Sequence, residues 1–310
     1  MDITIVGAGA FGCALGMAFE RKGLSVTLVC ESENQADDLL KNRCAPALPS
    51  VCLPKNIHIS PVLVQPDSLL ILAIPAQVIP SYAEFLSTHI SSDIPILLAS
   101  KGICEHSGRL MFHALSDHCQ NPILVMSGPN FAQEISQQLL TITTLAGYDA
   151  SLVDHFVNFL SSSQFIFEKN LDPIGLQVCG SIKNVMAIGA GILYGLGEGL
   201  NAEAAFVQKA LQEIEQWIIF YGGDPKTTRS AGGIGDFVLT CMGDLSRNRR
   251  FGLSIGRSET WSGELVEGYY TTRALSIKCQ GDWTNFPITK IMYDILRHAQ
   301  PPHMIKTIFQ

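Results

Sequence analysis

Residues 5–15 read IVGAGAFGCAL and place Gly7, Gly9 and Gly12 in a GxGxxG pattern between an apolar run and a helix-forming run. In a strand–loop–helix unit the first glycine permits a tight turn, the second lets the backbone approach a pyrophosphate, and the third lets helix and strand pack closely. The helix N-terminus then favours negative charge. The stretch therefore predicts dinucleotide binding, with a purely structural glycine turn as the alternative.

Short runs of β type alternate with helix-length segments through the first half of the chain. Such runs, apolar and ended by glycine or proline, are typical of a parallel sheet buried on both faces. We predict an α/β fold in which a Rossmann-type doubly wound parallel sheet occupies residues 1–175. The runs are ITIVGAG (3–9), LSVTLVCE (24–31), SLLILAIP (68–75), PILLASKG (95–102), NPILVMSGP (121–129), TITTLAG (141–147) and QFIFEK (164–169).

Beyond the last of these runs the pattern becomes helical. Segments 173–195, 201–221, 247–256 and 286–298 read as helices and are separated by glycine clusters. We predict a mainly α-helical second domain over residues 176–310. Because no low-complexity linker separates the two halves, we expect the domains to pack closely and share a cleft.

Composition narrows the class of protein. A chain of 310 residues is long enough for two domains, and its net charge of −7 disfavours nucleic-acid and anionic-membrane partners. The nine cysteines are scattered without a disulfide framework or metal-ligand spacing, which fits a reducing compartment and predicts no metal site. The start of the chain lacks the features of a signal peptide, and no clean apolar run is long enough to span a membrane. We therefore expect a cytoplasmic protein without stable membrane insertion.

Two lysines stand where chemistry is expected. Residues 180–191, GSIKNVMAIGAG, surround Lys183 with small and apolar residues. This lysine therefore either lies at the edge of an amphipathic helix or takes part in the chemistry of a site. Lys101 follows the run PILLAS, at the carboxyl edge of the predicted sheet where doubly wound folds bind ligands. A lysine with a lowered pKa can protonate the oxygen that forms when a carbonyl is reduced.

Residues 232–252, GGIGDFVLTCMGDLSRNRRFG, gather acidic, hydroxyl and basic side chains. Guanidinium groups beside an amide suit a phosphate because the planar fork forms paired, charge-assisted hydrogen bonds. A solvated basic turn is the alternative interpretation of SRNRR.

Eight segments in order resemble the bacterial NAD(P)-dependent glycerol-3-phosphate dehydrogenases. They are GAGAFGCAL, ASKGI, SGPNFAQE, GSIKNVMAIGAG, NAEAA, GGIGDFVLTC, SRNRRFG and VEGYYT, and they extend to about residue 275. The resemblance implies a Rossmann domain that binds the nicotinamide cofactor and a helical domain that completes the site. It also implies reduction of dihydroxyacetone phosphate, a small phosphorylated substrate, to sn-glycerol 3-phosphate for phospholipid synthesis.

The resemblance implies roles for individual residues. Lys183 is expected to be the general acid/base, Lys101 to help hold the substrate, and Asp236 to orient or support the lysine. The expected substrate contacts are Lys101, Gly128, Asn130, Lys183, Asp236, Thr240, Ser246, Arg247 and Asn248. With the glycine loop, the expected cofactor contacts are Gly7, Gly9, Ala10, Phe11, Gly12, Glu31, Lys101, Ala132, Arg247, Leu265 and Glu267.

Glu31 bears on the choice between NAD and NADP. It ends the predicted second strand, where a carboxylate accepts hydrogen bonds from the ribose 2′-hydroxyl and an arginine suits a 2′-phosphate. The segment LVCESENQ contains two glutamates and no cation, so we predict a preference for NAD. The alternative is that Glu31 points to solvent and Arg43 or another remote cation compensates the phosphate.

Other functions compatible with the glycine loop remain to be separated. A β-hydroxyacid dehydrogenase or a ketopantoate reductase would use the same loop and a lysine, although SRNRR favours a phosphorylated substrate. A non-catalytic NAD-sensing protein would bind the cofactor without needing Lys101, Lys183 and Asp236 together. A homodimer is one expectation for the oligomeric state.

Overall fold

The computed structural model describes residues 2–45, 48, 51–263 and 266–310. The chain divides into two compact units. Unit 1 consists of Met1–Ser100 and Met111–Pro173, and unit 2 consists of Lys101–Leu110 and Ile174–Gln310.

Unit 1 is built on a sheet of eight described strands in the order β3-β2-β1-β4-β5-β6-β7-β8. The order reverses direction beside β1, as in doubly wound folds, and each described pair is parallel except β6–β7. The predicted α/β fold is thus confirmed. The strands are β1 (Asp2–Val6), β2 (Ser25–Val29), β3 (His58–Ser60), β4 (Leu69–Leu72), β5 (Ile96–Leu98), β6 (Ile123–Ser127), β7 (Thr141–Ala146) and β8 (Phe165–Asn170).

Helices connect these strands and cover the sheet. They are α1 (Ala10–Arg21), α2 (Glu33–Asn42), α3 (Ile79–His89), α4 (Met111–Ser116), α5 (Ala132–Ser136) and α6 (Ala150–Leu160), with a short 3-10 helix at Ala76–Val78. The core contains β1, α1 and β8 side chains, among them Phe19, whose ring lies 6.1 Å from that of Phe165 and 6.4 Å from that of Phe167. Strand β4 is apolar along its whole length, and β1 is buried from Ile3 to Val6, because both faces of the sheet are covered.

The antiparallel pairing of β6 and β7 departs from the predicted all-parallel sheet. Its register pairs Ser127 with Thr144 and Val125 with Ala146. Between the two strands lies only α5, and a helix of five residues is about 7.5 Å long. A parallel crossover usually contains a longer helix and a dozen or more residues, and the connection here, residues 128–140, is close to that minimum length. The chain returns in the opposite direction along β7.

Unit 2 is helical, as predicted. Its described α-helices are α7 (Pro173–Gly195), α8 (Leu200–Tyr221), α9 (Asp236–Met242), α10 (Arg247–Gly256), α11 (Glu267–Lys278) and α12 (Pro287–His298). Short 3-10 helices lie at Pro225–Arg229 and Pro302–Phe309, and a π-helical turn lies at Ala231–Gly235. The sequence analysis missed α11, whose buried face is mostly Gly268, threonine and alanine rather than large apolar residues. It also missed the short α9 and the three-residue strand β3.

Helix α7 is the central element of unit 2. Every residue from 173 to 193 is buried, which explains why the helix is apolar on all sides. By length and composition it is the one described helix that could cross a membrane, and its most apolar window is wholly buried inside the protein. Helices α8 and α12 pack nearby through Trp217, whose ring stacks on Phe286 at 3.5 Å and whose Nε1 donates to the Thr289 hydroxyl at 3.1 Å.

Segment 101–110 follows β5 in sequence and nevertheless groups with unit 2, whereas the predicted first domain contained it. The Glu105 carboxylate lies 3.4 Å from Arg273 Nη1 and 3.4 Å from Arg297 Nη2. Gly108 approaches α11 so closely, with φ +66°, that a Cβ atom would lie 2.7 Å from a backbone oxygen. These contacts fix the segment, and with it Lys101, to the helical unit.

Candidate functional site

Unit 1 contains a cleft of about 770 Å³ at the carboxyl ends of β1, β2 and β4. This is the edge at which doubly wound sheets bind ligands. The cleft is lined by residues from the glycine loop, from the end of β2, from α2 and from α3, including Gly7, Ala8, Gly9, Glu31, Gln35, Val62, Tyr82 and Phe85.

The glycine loop has the form that a pyrophosphate requires. Gly7 has φ +109°, and a Cβ atom there would lie 2.5 Å from the Ala73 oxygen. A Cβ atom on Gly12 would lie 1.8 Å from the Gly7 oxygen, so this glycine lets α1 begin against the loop. A Cβ atom on Gly9 would meet no atom within 4 Å, which leaves the space beside its backbone open.

The N-terminus of α1 adds to this fit. Gly9 is the N-cap residue, no side chain caps the helix, and no acidic residue lies in its first turn, which begins with Ala10 and Phe11. Unpaired N–H groups and the helix dipole together form an anion site. The loop and the helix start thus fit the pyrophosphate of a dinucleotide.

Glu31 lines the same cleft. Its N–H donates to Gln35 Oε1 at 2.8 Å, and the Ser32 hydroxyl accepts from Gln35 N at 3.3 Å, so the backbone before α2 is fixed while the Glu31 side chain is exposed. No lysine, arginine or histidine is among the described residues that line the cleft. Arg43 instead donates to backbone oxygens of Pro54 and Ile57.

The SGPNFA loop lies between β6 and α5. Gly128 passes so close to Thr143 that a Cβ atom would lie 2.4 Å from its hydroxyl oxygen. Asn130 is buried and donates from Nδ2 to the same hydroxyl at 3.2 Å, and Ala132 begins α5. The loop is thereby held in a defined conformation at the end of the sheet.

Unit 2 contains a buried cluster of two lysines and one aspartate. Lys183 Nζ donates to Asp236 Oδ1 at 2.5 Å and to the Thr240 hydroxyl at 2.8 Å. Lys101 Nζ donates to the other carboxylate oxygen, Oδ2, at 2.9 Å. The Thr240 hydroxyl donates to the Asp236 main-chain oxygen at 2.6 Å, which leaves a lone pair for Lys183. Predicted from scattered motifs, these four residues are brought together by the fold.

Local backbone features place Asp236 in this cluster. The π-helical turn before it contains Gly233, where a Cβ atom would lie 2.4 Å from the Thr228 oxygen, so the turn packs directly on the preceding 3-10 helix. Ser230 caps the turn by accepting from Gly233 N at 3.0 Å. Helix α9 then begins at Asp236, which points its carboxylate at the two ammonium groups. Single π turns of this kind are frequent at functional sites.

The electrostatics of the cluster follow from burial and from the 2:1 ratio of cations to anion. Burial lowers the pKa of Lys183 to about 8, against the attraction of Asp236 and with the help of the Lys101 charge. Burial alone would raise the pKa of Asp236, but Lys101 and Lys183 outweigh it and hold that pKa below its usual value. Lys183 is only 6% exposed, whereas the Lys101 side chain is 20% exposed. The cluster therefore contains an ammonium group that can release a proton near neutral pH.

Facing glycines bring α7 and α10 into backbone contact. A Cβ atom on Gly191 would lie 2.1 Å from the Arg249 oxygen, and one on Gly252 would lie 1.9 Å from the Ile188 oxygen. Gly195 and Gly256 repeat the contact one turn further along both helices. The small residues around Lys183 thus serve helix packing as well as burial.

Asn184 links three of the sequence motifs, and the sequence analysis did not identify it. Asn248 Nδ2 donates to Asn184 Oδ1 at 3.0 Å, and Gly268 N donates to Asn248 Oδ1 at 3.0 Å. A Cβ atom on Gly268 would lie 2.5 Å from the main-chain oxygen of Asn184. Its position next to Lys183 was the only available signal, because a buried amide contact leaves no periodic pattern.

The SRNRR segment divides into structural and exposed groups. Ser246 caps α10 by accepting from Arg249 N at 3.2 Å. Arg249 is buried, pairs with Asp244 and Glu203, and lies over the Tyr194 ring at 4.8 Å. Arg247 and Arg250 are exposed. The solvated-turn interpretation therefore fails for Arg249, while Arg247 is available to an anion.

Glu267 begins α11. One of its carboxylate oxygens is buried without a hydrogen-bond partner in the described part of the chain. Burial raises the pKa of Glu267 to about 7, and the charge of Arg247 opposes the shift. Buried polar atoms usually have a hydrogen-bond partner, so this oxygen is a candidate acceptor for a bound ligand. Leu265, predicted beside it as a cofactor contact, lies outside the described residues. Among the described residues, no group of three or more His, Cys, Asp or Glu side chains could hold a metal ion.

Comparisons with known proteins cover both units. The model for the N-terminus of NAD-dependent glycerol-3-phosphate dehydrogenase matches residues 2–153, and the model for its C-terminus matches residues 172–307. The chain is 34% identical to glycerol-3-phosphate dehydrogenase (NAD(P)+) of Blochmanniella pennsylvanica, over 97% of this chain and 92% of the relative. It is 35% identical to that of Agrobacterium fabrum, over 95% and 92% respectively. The crystal structure of glycerol-3-phosphate dehydrogenase from Coxiella burnetii superposes with a TM-score of 0.92 at 28% identity, covering 100% of this chain and 98% of that one.

Proposed function

The chain belongs to the NAD-dependent glycerol-3-phosphate dehydrogenase family, and we propose that it reduces dihydroxyacetone phosphate reversibly to sn-glycerol 3-phosphate with NAD(P)H. The product would supply glycerophospholipid synthesis. The observation that carries the proposal is the buried Lys183–Asp236–Lys101 cluster in a chain that also has a dinucleotide-binding loop.

Lys183 is the proposed general acid. Two of its three Nζ protons are donated to Asp236 and Thr240, so the third is available to a substrate carbonyl oxygen. The nicotinamide, when bound, supplies the hydride that adds to the carbonyl carbon. Lys183 gives its proton to the oxygen on which negative charge develops, and the ketone becomes a secondary alcohol. Glycerol phosphate oxidation runs the same transfers in reverse, with neutral Lys183 as the base.

Asp236 and Lys101 are proposed to tune that proton transfer. Asp236 stays ionised and holds the lysine in place, so its role is orientation and charge balance. Lys101 adds a second positive charge, which lowers the pKa of Lys183 and makes it a better proton donor. Lys101 is also the more exposed of the two and is suited to contact substrate or cofactor.

Arg247 is the proposed phosphate ligand. It is exposed at the start of α10, where the N-terminal end of the helix also favours an anion. Ser246 and Asn248 flank it, and both are buried with their side chains engaged in capping and in the Asn184 contact. We assign them mainly to holding the loop. Gly128 and Asn130 remain proposed substrate contacts.

The proposed cofactor contacts are the glycine loop, Ala132, Arg247 and the Glu267 segment. The unpartnered buried oxygen of Glu267 supports a ligand at that position. A preference for NAD over NADP is supported by Glu31 in a cleft whose described lining has no cation, since a 2′-phosphate would meet like charge there.

We further propose a cytoplasmic location, no nucleic-acid partner and no membrane insertion. The net charge of −7 supports the first exclusion, and the complete burial of α7 supports the second. A homodimer remains one proposal for the oligomeric state.

The test is oxidation of NADH and NADPH with dihydroxyacetone phosphate, dihydroxyacetone, ketopantoate and a β-keto acid as separate substrates. We expect kcat/KM for the phosphorylated ketone to exceed that for dihydroxyacetone by at least ~10², because the guanidinium pair with the phosphate is lost. Preferential turnover of either acid would favour a related reductase. Cofactor binding without turnover of any substrate would indicate an NAD-sensing protein.

A further inference from the structure

Two cysteines of unit 1, Cys44 and Cys52, face each other in a segment that does not include the glycine loop. Cys44 and Cys52 form an antiparallel β-bridge between α2 and β3, and their Sγ atoms lie 3.1 Å apart. A disulfide bond has an S–S length of about 2.05 Å, so the two sulfur atoms are about 1 Å from bonding distance.

The backbone next to the pair, at Arg43 and Leu53, is held by contacts that involve neither thiol. Leu53 N donates to the Arg43 oxygen at 2.6 Å, and Leu53 is buried. The Arg43 guanidinium donates to the Ile57 oxygen at 2.9 Å. The two cysteines are therefore held opposite each other by neighbours that do not depend on the thiols.

Solvent access distinguishes this pair from the other cysteines. Cys52 is exposed and Cys44 is partly exposed, whereas Cys13, Cys30, Cys119, Cys179, Cys241 and Cys279 are buried. Cys104 is also partly exposed, but no cysteine contact is recorded for it among the described residues. A small thiol or disulfide in solution can reach Cys52 directly.

We propose that Cys44 and Cys52 form a reversible disulfide whose redox partner is a small disulfide of the glutathione class. The Cys52 thiolate attacks one sulfur of that disulfide, which releases one small thiol and leaves a mixed disulfide on Cys52. The Cys44 thiolate then attacks Cys52 Sγ, forms the Cys44–Cys52 bond and releases the second small thiol. Two protein thiols are oxidised, one small disulfide is reduced, and the two protons pass to the departing thiolates.

The test is intact-mass analysis of the full chain, denatured under acid after incubation with oxidised glutathione and again after excess dithiothreitol. We expect a mass decrease of about 2 Da, reversed by the reductant, and a peptide map that joins residues 44 and 52. Cys104→Ser is the matched control and should still lose about 2 Da.

Cys44→Ser and Cys52→Ser should each lose this change and instead carry one glutathione at the remaining thiol. Circular dichroism of both variants should match that of the wild type, because neither thiol supports the backbone contacts. Stable glutathione adducts on Cys44 or Cys52 of the wild type, without the linked peptide, would overturn the proposal. So would a linked peptide that joins either residue to a different cysteine.

Discussion

The chemistry of Lys183 is decided by its immediate neighbours. Burial favours its neutral form, Asp236 favours its charged form, and Lys101 lowers its pKa further. In the proposed ketone reduction the proton donor is charged Lys183, so the rate of reduction is expected to fall as pH rises through about 8. The reverse oxidation needs the neutral amine and should gain rate over the same interval.

Lys101→Met gives this pH dependence a specific test. Removing the Lys101 charge removes one of the causes that lower the pKa of Lys183, so the falling limb of kcat for reduction should move to higher pH. Profiles of kcat at saturating substrate and cofactor, measured for wild type and variant, decide the matter. A limb that stays in place or moves to lower pH would contradict the coupling.

Substitution of Glu31 tests whether this residue contacts the adenosine ribose of the cofactor. In the wild type we expect kcat/KM to be higher with NADH than with NADPH, because Glu31 lies in a cleft where no cation is among the described lining residues. Glu31→Arg should shift that ratio toward NADPH by at least ~10-fold, through one new charge-assisted contact to the 2′-phosphate. Glu33→Arg, at an exposed residue of the same helix start, is the control. An unchanged ratio in Glu31→Arg would show that Glu31 does not contact the ribose.

Arg247 tests the phosphate site. Arg247→Ala should lower kcat/KM for dihydroxyacetone phosphate by a factor corresponding to ~1.5–3 kcal/mol, the net contribution of hydrogen bonds between a guanidinium group and a bound phosphate. Arg250→Ala removes a second exposed guanidinium from the same segment and should change the same parameter little. Equal losses in the two variants would indicate a diffuse basic surface.

At the scale of elements, the crossing of α7 and α10 depends on glycine. Gly252→Ala would put a methyl group 1.9 Å from the Ile188 oxygen, so the helices must separate. We expect the free energy of unfolding to fall by about 3 kcal/mol. Gly199→Ala, where a Cβ atom meets nothing within 4 Å, should cost less than about 1 kcal/mol. Denaturant unfolding of both variants measures the difference, and a similar small loss in each would argue against backbone contact.

The same elements show how far sequence reasoning reaches. Strands β1, β2 and β4 were predictable because they are mostly buried and rich in aliphatic and β-branched residues, and β4 is apolar throughout. Helix α11 was not, because its buried face consists of small and hydroxyl-bearing residues. The direction of β7 is seen in its antiparallel pairing with β6 and its parallel pairing with β8, and no local pattern encodes it.

The candidate site divides in the same way. The sequence motifs were enough to predict Lys183, Asp236 and Lys101 as site residues. The distances between their charged groups became known only from the structure. The structure places Arg249 in buried ion pairs and Ser246 at the cap of α10, and neither placement was predictable from the segment SRNRR. Asn184 escaped notice because its contacts join residues 64 positions apart. Side-chain partners of this kind arise only from tertiary packing.

In the whole molecule, cofactor binding and proton transfer are assigned to different units. The glycine loop belongs to unit 1 and Lys183 to unit 2, so loss of the lysine should leave the cofactor affinity intact. Lys209, exposed on α8, offers a matched control for removal of a positive charge.

The most direct measurement compares Lys183→Met with Lys209→Met, using kcat for dihydroxyacetone phosphate reduction and the Kd of NADH from fluorescence titration. We expect Lys183→Met to lower kcat at least ~10²-fold while the Kd of NADH changes by less than about 3-fold. Lys209→Met should match the wild type in both quantities. Turnover by Lys183→Met close to that of the wild type would contradict the assignment of Lys183 as the proton donor.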